Sequence, residues 1–498
     1  MRSERMFSGR GGSDRLCRRD FLKGSLVLAA GSSFSGGCAQ VWQQKMSVPA
    51  MRPKGPASKY VPVIKATFVR RKEDYGMWWP GAVYDGESSR RQYTAALRQT
   101  AESLGVKLDL RGEPIYSPAE ADAWLAEAKE AKADGLMVMV HDRQKHSWPT
   151  AIKAAESGIP TVIFSPIGTS FTTNTVHLAG KPGCVIYSTD DFSQAAYGMK
   201  MLKAGAKMKR TRCLVLRGDK RLDEPLADTG ITLRYLPTKI YLDEYHKIED
   251  TDEVLAMTEE YLRRARRRTG ATRQDVINGV KGYFACRNII AREQGDAITM
   301  DCLGAIAKTG SKVSLPCISW SRMNDEGIAA ACEADVGAVA SHVIVQYLFD
   351  RPGFQQDPVA DTSHDAIIGA HCSCPTRLNG FDKPSEPFDL MHHHGNRDAV
   401  PHTVWRQGQR VSCLDVLPAG HKHNMGGKRT RMLISVGTVV DNVSVPPAGG
   451  CVVSVRVKFD GDQEVLDFPG FHQLFFYGDY KRQLIEFCQL FDFDAQVV

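Results

Sequence analysis

The 498-residue chain lacks the motifs that mark several common functional classes. No G-x-G-x-x-G follows a strand-like stretch and no P-loop is present, so nothing supports a nucleotide site. The excess of 64 Lys and Arg over 57 Asp and Glu is small. The basic run at residues 263–268 lies on a helical pattern, where a solvated helix face is the simplest interpretation. Since no basic segment alternates with aromatic residues in a recognisable module, we expect no nucleic-acid partner.

The sequence also lacks a cysteine pattern typical of disulfide frameworks or zinc ribbons, although it has 13 cysteines. It has no C-x-x-C pair, and the spacing of Cys372-Ser-Cys374 does not fit a zinc ribbon. Other cysteines lie in apolar strand-like or helical stretches, where a free thiol behaves as a small hydrophobic group. We therefore expect reduced, buried cysteines and not a disulfide framework, even in an exported protein.

A long hydrophobic run is absent from the N-terminus, but a short one follows a double arginine. Cys17-Arg-Arg-Asp-Phe-Leu-Lys23 precedes an apolar run at 26–30, far shorter than the roughly 18 residues of a membrane-spanning helix. This order is typical of a twin-arginine export signal, so we predict a signal peptide at 1–38 and a periplasmic or envelope-attached protein. A disordered basic N-terminus is the alternative. Gly36-Gly-Cys38 also fits a lipoprotein cleavage site with a lipid anchor on Cys38, although Ser35 occupies a usually aliphatic position.

The remaining residues are too many for one hydrophobic core and predict three domains after a linker. Prolines at positions 49, 53 and 56 predict a flexible linker over 39–59. Residues 60–210 and 211–350 each alternate strand-like and helical patterns, which predicts parallel sheets covered by helices. Residues 351–498 carry short alternating segments with many Gly and Pro. The expected fold is therefore α/β, with two parallel-sheet α/β domains followed by a C-terminal antiparallel β-barrel-like domain.

The stretch from Gly327 to Phe349 organises the second α/β unit. Residues 328–332 are small and apolar, which predicts a short buried strand. Apolar residues then recur at the i, i+3, i+4 spacing of an amphipathic helix. Glu333 and Asp335 fall at the junction, where ligands bind in open α/β sheets and where a helix dipole stabilises carboxylates. They fit a ligand site and a plain helix cap with an ion-pair partner equally well.

Histidines cluster late in the chain, and two of them are candidate site residues. His472 is a lone imidazole in an apolar stretch, a pattern that more often marks a satisfied core residue, and His371 follows an apolar strand. His392-His-His394 invites a metal interpretation, but successive strand residues point to opposite faces, so we interpret this run as a loop. Trp78 is expected either to stack on a sugar face or to pack within the protein.

Several motifs in order resemble the L-fucose isomerase-like family. They are Cys332-Glu-Ala-Asp-Val-Gly-Ala338, Asp350-Arg-Pro-Gly, Asp361, Ala370-His-Cys372 and Pro469-Gly-Phe-His-Gln-Leu-Phe-Phe-Tyr-Gly-Asp-Tyr480. The resemblance covers roughly the second half of the chain clearly and the first half only as an α/β outline. It implies a manganese ion held by carboxylates and a histidine, and an open-chain monosaccharide as substrate. It also implies a carboxylate that moves a proton between C1 and C2 through an ene-diol.

On this resemblance Glu333, Asp335 and His472 are the metal ligands, and manganese is the expected divalent ion. Asp301 and Glu333 are the candidate catalytic carboxylates, His371 and Trp78 are the candidate substrate contacts, and a homo-oligomer is expected. One departure concerns catalysis. Family members carry a Lys-x-x-x-Glu pattern whose glutamate is ligand and base, whereas the comparable stretch here is Asp301-Cys-Leu-Gly-Ala305. Either Asp301 replaces that glutamate, or the site has lost its base.

Two functions from different classes therefore stay open. The first is a metal-dependent aldose–ketose isomerase, favoured by the two carboxylates, the histidine and their apolar setting. The second is a non-catalytic exported carbohydrate-binding or structural protein on the same fold, favoured by the missing glutamate and by the export signal. Fold alone does not decide between them, because function depends on the residues of the site.

Replacing Arg18 and Arg19 together by Lys tests the export prediction. The signal depends on the double arginine, so the variant is expected to stay in the cytoplasm while the wild-type chain is exported. Cell fractionation followed by immunoblotting measures the distribution, and a variant with Lys at Arg2 and Arg5 is the charge-matched control. Export of the Arg18/Arg19 variant at the wild-type level would contradict the prediction.

Overall fold

Two mainly parallel sheets and a closed antiparallel barrel form the core of the protein. The structure is a computed structural model that describes residues 49–73, 76–77, 84–143, 146–309, 311–393, 397–420, 424, 426–443 and 453–498. These residues belong to a unit that spans residues 46–498. In this part of the chain, no helix is both long and apolar enough to cross a membrane.

The first sheet lies in the N-terminal part of the chain. Its elements are α1 (Pro56–Lys59), β1 (Val63–Val69), β2 (Gly76–Met77), β3 (Tyr84–Asp85), α2 (Gly86–Leu104), β4 (Lys107–Leu110), α3 (Pro118–Glu130), β5 (Gly135–Val140), α4 (Ser147–Ala155), β6 (Thr161–Ser165), α5 (Thr172–Thr175), β7 (Cys184–Ser188) and α6 (Phe192–Met208). Five parallel strands are ordered β4-β1-β5-β6-β7. Alternate residues of β5 enter two different apolar clusters, as expected for a strand that is covered on both faces.

The second sheet follows directly. Its region contains β8 (Arg212–Leu216), β9 (Leu222–Pro225), β10 (Thr232–Leu236), α7 (Lys239–Lys247), α8 (Asp252–Arg264), β11 (Arg268–Thr269), α9 (Arg273–Glu293), β12 (Ala297–Met300), α10 (Cys317–Asp325), β13 (Ala329–Cys332) and α11 (Val336–Phe349). The strand order is β13-β12-β8-β10-β9, with β9 antiparallel to β10. The short strands β12 and β13 are fully buried at one side of this sheet.

The C-terminal region forms the barrel. It contains β14 (Phe354–Asp361), β15 (Ala366–His371), β16 (Phe388–His393), β17 (Arg397–Thr403), β18 (Arg410–Leu417), β19 (Arg431–Asn442), β20 (Val453–Phe459), β21 (Gln473–Tyr477), α12 (Lys481–Phe491) and β22 (Asp494–Val497). Six antiparallel strands run β18-β21-β14-β15-β20-β19, and β19 pairs again with β18 to close the barrel. The predicted fold class, parallel-sheet α/β domains followed by an antiparallel barrel, is confirmed.

The helix α11 is buried on nearly every side, whereas the sequence predicted an amphipathic helix. All of its residues except Val336 and Tyr347 are buried, because α6, β13 and the barrel strands β18 and β21 pack around it. Its Ser341 hydroxyl accepts the Val416 N–H at 3.0 Å. A Cβ atom on Gly337 would lie 2.4 Å from the Val416 carbonyl oxygen, so only glycine allows the barrel to approach this closely. The helix is therefore fixed against both the second sheet and the barrel.

Residues 49–59 pack against the second sheet, although the sequence predicted a flexible linker over 39–59. The N–H groups of Ala57 and Ser58 donate to the Asp296 carboxylate at 3.1 and 2.9 Å. The same carboxylate accepts the Arg212 N–H at 3.0 Å, and Met51 is buried nearby. The prolines here restrict a docked segment and do not mark a free tether, at least from residue 49 onward.

One local prediction from the sequence was wrong. His392 and His393 were assigned to a loop, but both lie on the strand β16, while His394 lies outside the described residues. A run of three polar residues gave too little periodicity to identify the element.

Replacing Asp296 by Ala is expected to release residues 49–59 and lower the thermal midpoint of unfolding. The variant removes a charged acceptor from three backbone N–H groups, and a hydrogen bond to a charged group contributes about 1.5–3 kcal/mol. Asp243→Ala is the matched control, because the Asp243 carboxylate lies in an exposed ion pair with Lys239, and such pairs contribute at most about 1 kcal/mol. Calorimetry measures the midpoint and limited proteolysis reports release of the segment. Equal midpoints for the two variants would count against this role of Asp296.

Candidate metal centre

A strained turn at the carboxyl end of β13 places two carboxylates beside the barrel. Glu333 and Ala334 have φ angles of 62° and 52°, in the left-handed region that non-glycine residues rarely adopt. The turn is held by hydrogen bonds from the Ala334 N–H to the Met300 carbonyl oxygen (2.9 Å) and from the Asp335 N–H to the Cys332 carbonyl oxygen (3.2 Å). Asp335 then caps α11 by accepting the Ala338 N–H at 2.8 Å. Strain of this kind occurs often at functional sites.

The barrel brings two histidines to the same turn. His371 is the last residue of β15, and His472 directly precedes β21 with a φ of 55°. The Nε2 atoms of His371 and His472 lie 3.8 and 3.6 Å from the two carboxylate oxygens of Glu333. One ligand atom from each of these three residues lies within 4.8 Å of the other two. Both imidazoles are buried, while the Glu333 side chain is 30% exposed and so faces an opening.

A carboxylate lies beside each ring nitrogen of His472. Its Nδ1 lies 2.9 Å from Asp335 Oδ2, and its Nε2 lies 3.2 Å from Asp357 Oδ1. Burial lowers the pKa of His472, but the hydrogen bonds and charges of Asp335 and Asp357 outweigh this effect and raise the pKa to about 10. In the absence of a metal ion, His472 is therefore an imidazolium that balances its acidic neighbours.

Asp357 is a site residue that the sequence analysis missed. The barrel register pairs Gln356 with Gln473, so the next antiparallel position brings Asp357 beside His472. Asp357 Oδ1 and His472 Nε2 are both buried and lie 3.2 Å from each other. Nothing in the sequence near Asp357 marks it as a site residue, because its role follows only from pairing between strands more than 100 positions apart.

The loop before β21 is held by the buried carboxyl group of Asp415. Asp415 Oδ2 accepts the Phe471 N–H at 3.1 Å, and a Cβ atom on Gly470 would lie 2.7 Å from this oxygen. Burial is the largest effect on Asp415 and raises its pKa to about 7. The Phe471 ring lies over His472, with 4.4 Å between the ring centroids. Asp415 thereby holds the backbone that presents His472.

Two further residues were predicted for the site, Asp301 and Trp78. Met300 pairs with Cys332 on neighbouring strands, so Asp301 and Glu333 both directly follow this pair at the carboxyl edge of the sheet. Asp301 Oδ1 accepts the Gly304 N–H at 2.9 Å, and Asp301 does not belong to the cluster of Glu333, His371 and His472. Trp78, the other predicted sugar contact, lies outside the described residues.

Comparisons with known proteins add little to this geometry. No protein-family model matches the chain, and no curated protein matches it. Among solved structures, the chain is similar to an ABC transporter solute-binding protein from Burkholderia multivorans. The two share 12% identity over 50% of this chain and 84% of that chain, with a TM-score of 0.18. A likeness this weak carries no argument about fold or function.

The raised pKa of His472 predicts how the stability of the metal-free protein depends on pH. The folded pKa of about 10 exceeds the ordinary value of 6.5, so the stabilisation is complete below pH 6.5 and declines above it. It is lost as the pH rises through about 10. In a chelator-containing buffer, the difference in thermal midpoint between wild type and His472→Gln should shrink from pH 7 to pH 10.

The variant His364→Gln is the control, because His364 is an exposed residue that pairs with Asp361 away from the cluster. Its difference from wild type should not follow the same pH course. A difference for His472→Gln that stays constant from pH 6.5 to 10 would show that His472 does not carry the raised pKa.

Proposed function

We propose that this protein is a divalent-metal-dependent enzyme that interconverts the aldose and ketose forms of a monosaccharide through an ene-diol. The observation that supports it best is the cluster of Glu333, His371 and His472, whose ligand atoms lie within 4.8 Å of one another. The cluster stands beside the carboxyl edge of a mainly parallel sheet, where ligands bind in open α/β folds. The motifs that resemble the L-fucose isomerase-like family contain all three residues.

The three side chains come close to the spacing that a first-row divalent ion requires. Two atoms that each lie about 2.1 Å from one ion are at most about 4.2 Å apart. The gaps of 3.8 and 3.6 Å between Glu333 and the two histidines lie within this limit, and the bound of 4.8 Å over all three ligand atoms lies slightly above it. The buried Nε2 atom of His472 faces the Asp357 carboxylate at 3.2 Å and Glu333 at 3.6 Å, so an ion bound there would replace the proton that this nitrogen now carries. One carboxylate and two imidazoles suit iron(II) and zinc as well as the manganese expected from the resemblance.

Asp335 is better placed to orient a ligand than to be one. One of its carboxylate oxygens accepts the Ala338 N–H and the other lies 2.9 Å from His472 Nδ1. A carboxylate on the far nitrogen fixes the ring orientation and the tautomer of a metal-binding histidine. We therefore assign Glu333, His371 and His472 as the ligands. Asp335, which the sequence assigned as a ligand, holds His472 in position.

When bound, a divalent ion at this site would act as a Lewis acid toward a sugar carbonyl oxygen. The remaining requirement is a base that removes a proton from the carbon beside the carbonyl and returns it to the neighbouring carbon. Asp301 is our candidate for this role, because it stands one strand from Glu333 at the same sheet edge. The transfer leaves the sugar with the same atoms and the same overall oxidation state.

A non-catalytic sugar-binding protein is the second candidate function. The observation that favours it is the contact of Asp301, whose carboxylate accepts the Gly304 N–H and so has a structural role at the start of the following turn. An aspartate engaged in this way, where relatives carry a glutamate, reaches less far into the site.

The export prediction, the lipid on Cys38 and the homo-oligomer stay part of the proposal. Residues 1–48 lie outside the described part of the chain, so the support for export is the double arginine and the short apolar run. A metal enzyme suits this route, since the route carries proteins that have already folded and acquired their metal.

The proposal is tested by measuring bound metal and proton exchange on the same samples. Protein purified without chelator is loaded in turn with manganese, iron(II), cobalt and zinc, and the bound metal is quantified by mass spectrometry. Glu333→Gln and His371→Ala should each bind metal at least 10-fold more weakly. The matched controls Glu259→Gln and His364→Ala change exposed residues and should retain the wild-type content.

Exchange of the C2 proton with deuterated water then separates the two candidate functions. Wild-type protein should exchange the proton of at least one sugar in a panel of aldoses and ketoses, and Asp301→Asn should lower the rate about 10²–10⁴-fold while retaining metal. Absence of metal binding by the wild type would overturn the proposal. Metal and sugar binding without exchange would support the non-catalytic sugar-binding protein. Exchange at the same rate in wild type and Asp301→Asn would show that Asp301 is not the base and would make Glu333 the next candidate.

A further inference from the structure

Four cysteines from four different elements lie directly behind the candidate metal centre. Cys302 follows β12, Cys317 begins α10, Cys332 ends β13 and Cys372 follows β15. All ten cysteines that the structure describes are buried, and none of these ten forms a disulfide in it. Cys332 and Cys372 are direct sequence neighbours of Glu333 and His371.

The chain after β15 runs alongside α10 in a defined register. Ser321 donates to the carbonyl oxygen of Cys374 at 2.7 Å, and Asp325 accepts the Thr376 N–H at 2.8 Å. Four residues of a helix advance about 6 Å and two residues of extended chain advance about 6.6 Å, so each step of four residues along α10 matches a step of two residues along the chain after β15. One such step toward the N-terminal end of both segments places Cys317 beside Cys372. The two thiols are indeed hydrogen-bonded to each other.

An imidazole lies beside this pair of thiols. His393, at the end of β16, is hydrogen-bonded to the Cys317 thiol. The hydrogen bond from Cys372 and the nearby His393 charge lower the pKa of Cys317 to about 6, against the effects of burial and of Asp398. Its position at the first residue of α10 adds the favourable field of a helix N-terminus. Cys317 is therefore a thiolate at neutral pH, and the thiolate is the reactive form of cysteine.

We propose that Cys317 and Cys372 are a modification site, at which a small oxidant of the peroxide class forms a reversible disulfide. The two residues are each 4% exposed, which excludes a protein disulfide partner, so the proposal requires an oxidant as small as hydrogen peroxide. The inference does not depend on the proposed function, because it uses no metal and no sugar.

The reaction balances with hydrogen peroxide as the oxidant. The Cys317 thiolate attacks one peroxide oxygen and the O–O bond breaks, which gives a sulfenic acid and releases hydroxide. The sulfur of Cys372 then attacks the sulfenic sulfur, the S–S bond forms, and the leaving hydroxide takes the Cys372 proton as water. Two thiols supply two electrons to one peroxide, and a dithiol reductant reverses the change.

The neighbouring pair differs in reactivity. Cys332 is hydrogen-bonded to Cys302 and lies 3.1 Å from the Ser373 hydroxyl. The neighbours of Cys332 are thus a thiol and a hydroxyl, whereas Cys317 has the imidazole of His393 and the N-terminus of α10 beside it. The structure therefore assigns the reactive role to Cys317 and the resolving role to Cys372, and not to the second pair.

Peptide mapping of the oxidised full-length protein tests the proposal. Chelator-treated protein is exposed to hydrogen peroxide, its remaining thiols are alkylated under denaturing conditions, and the digest is analysed by mass spectrometry. We expect a cross-linked peptide that joins Cys317 to Cys372, the loss of two free thiols per molecule, and recovery of both with dithiothreitol. In Cys372→Ser, oxidation should stop at the sulfenic or sulfinic acid of Cys317.

Cys286→Ser is the matched control, because Cys286 is equally buried and has a raised pKa without a thiol partner among its causes. This variant should form the wild-type cross-link. A cross-link between Cys302 and Cys332 in its place, or no loss of thiols at Cys317 and Cys372, would overturn the proposal. The wild-type map requires no substitution at Cys317, so a variant that fails to fold leaves the test intact.

Discussion

The burial of α11 is the constraint on which the rest of the structure depends. This helix has apolar side chains in all directions, and each fully buried valine or isoleucine stabilises the fold by about 1.5–3 kcal/mol. No single sheet can cover such a helix. The helix α6 beside the first sheet, the strands of the second sheet and the barrel therefore all pack against it. Its N-terminus is consequently fixed where β13 ends and where the barrel begins. The carboxylates of Glu333 and Asp335 lie at that meeting point because they occupy the turn between the end of β13 and the start of α11.

The backbone at the centre is maintained at a cost. Two consecutive residues in the left-handed region, Glu333 and Ala334, cost about 1–3 kcal/mol each, and His472 adds a third such residue across the barrel. The pairing of β12 with β13, the cap of α11 and the Asp415 contact together impose these angles. The strain therefore lies where three independent elements aim side chains at one point, which is the arrangement expected when ligand atoms must be positioned before a ligand arrives.

The sequence predicted those parts of the site that are encoded locally. Glu333 and Asp335 follow a short apolar strand and precede a helix, so their junction could be read from a few adjacent residues. His472 and His371 came from motifs in order, but their distance from Glu333 depends on the barrel register. Asp357 could not be predicted, because it meets His472 only through the pairing of β14 with β21. The docking of residues 49–59 could not be predicted for a similar reason: the acceptor of residues 57 and 58 is Asp296, which no local pattern connects to them.

The docking of residues 49–59 has a consequence for the order of events during synthesis. The Ala57 N–H and its acceptor on Asp296 are separated by 239 positions in the chain. At the usual 5–20 residues per second, the acceptor emerges from the ribosome about 10–50 s after the donor. The first sheet can fold in that interval, whereas the segment in front of it must wait. The residues closest to the predicted export leader thus reach their contacts with Asp296 later than the strands of the first sheet can pair, although they leave the ribosome before those strands.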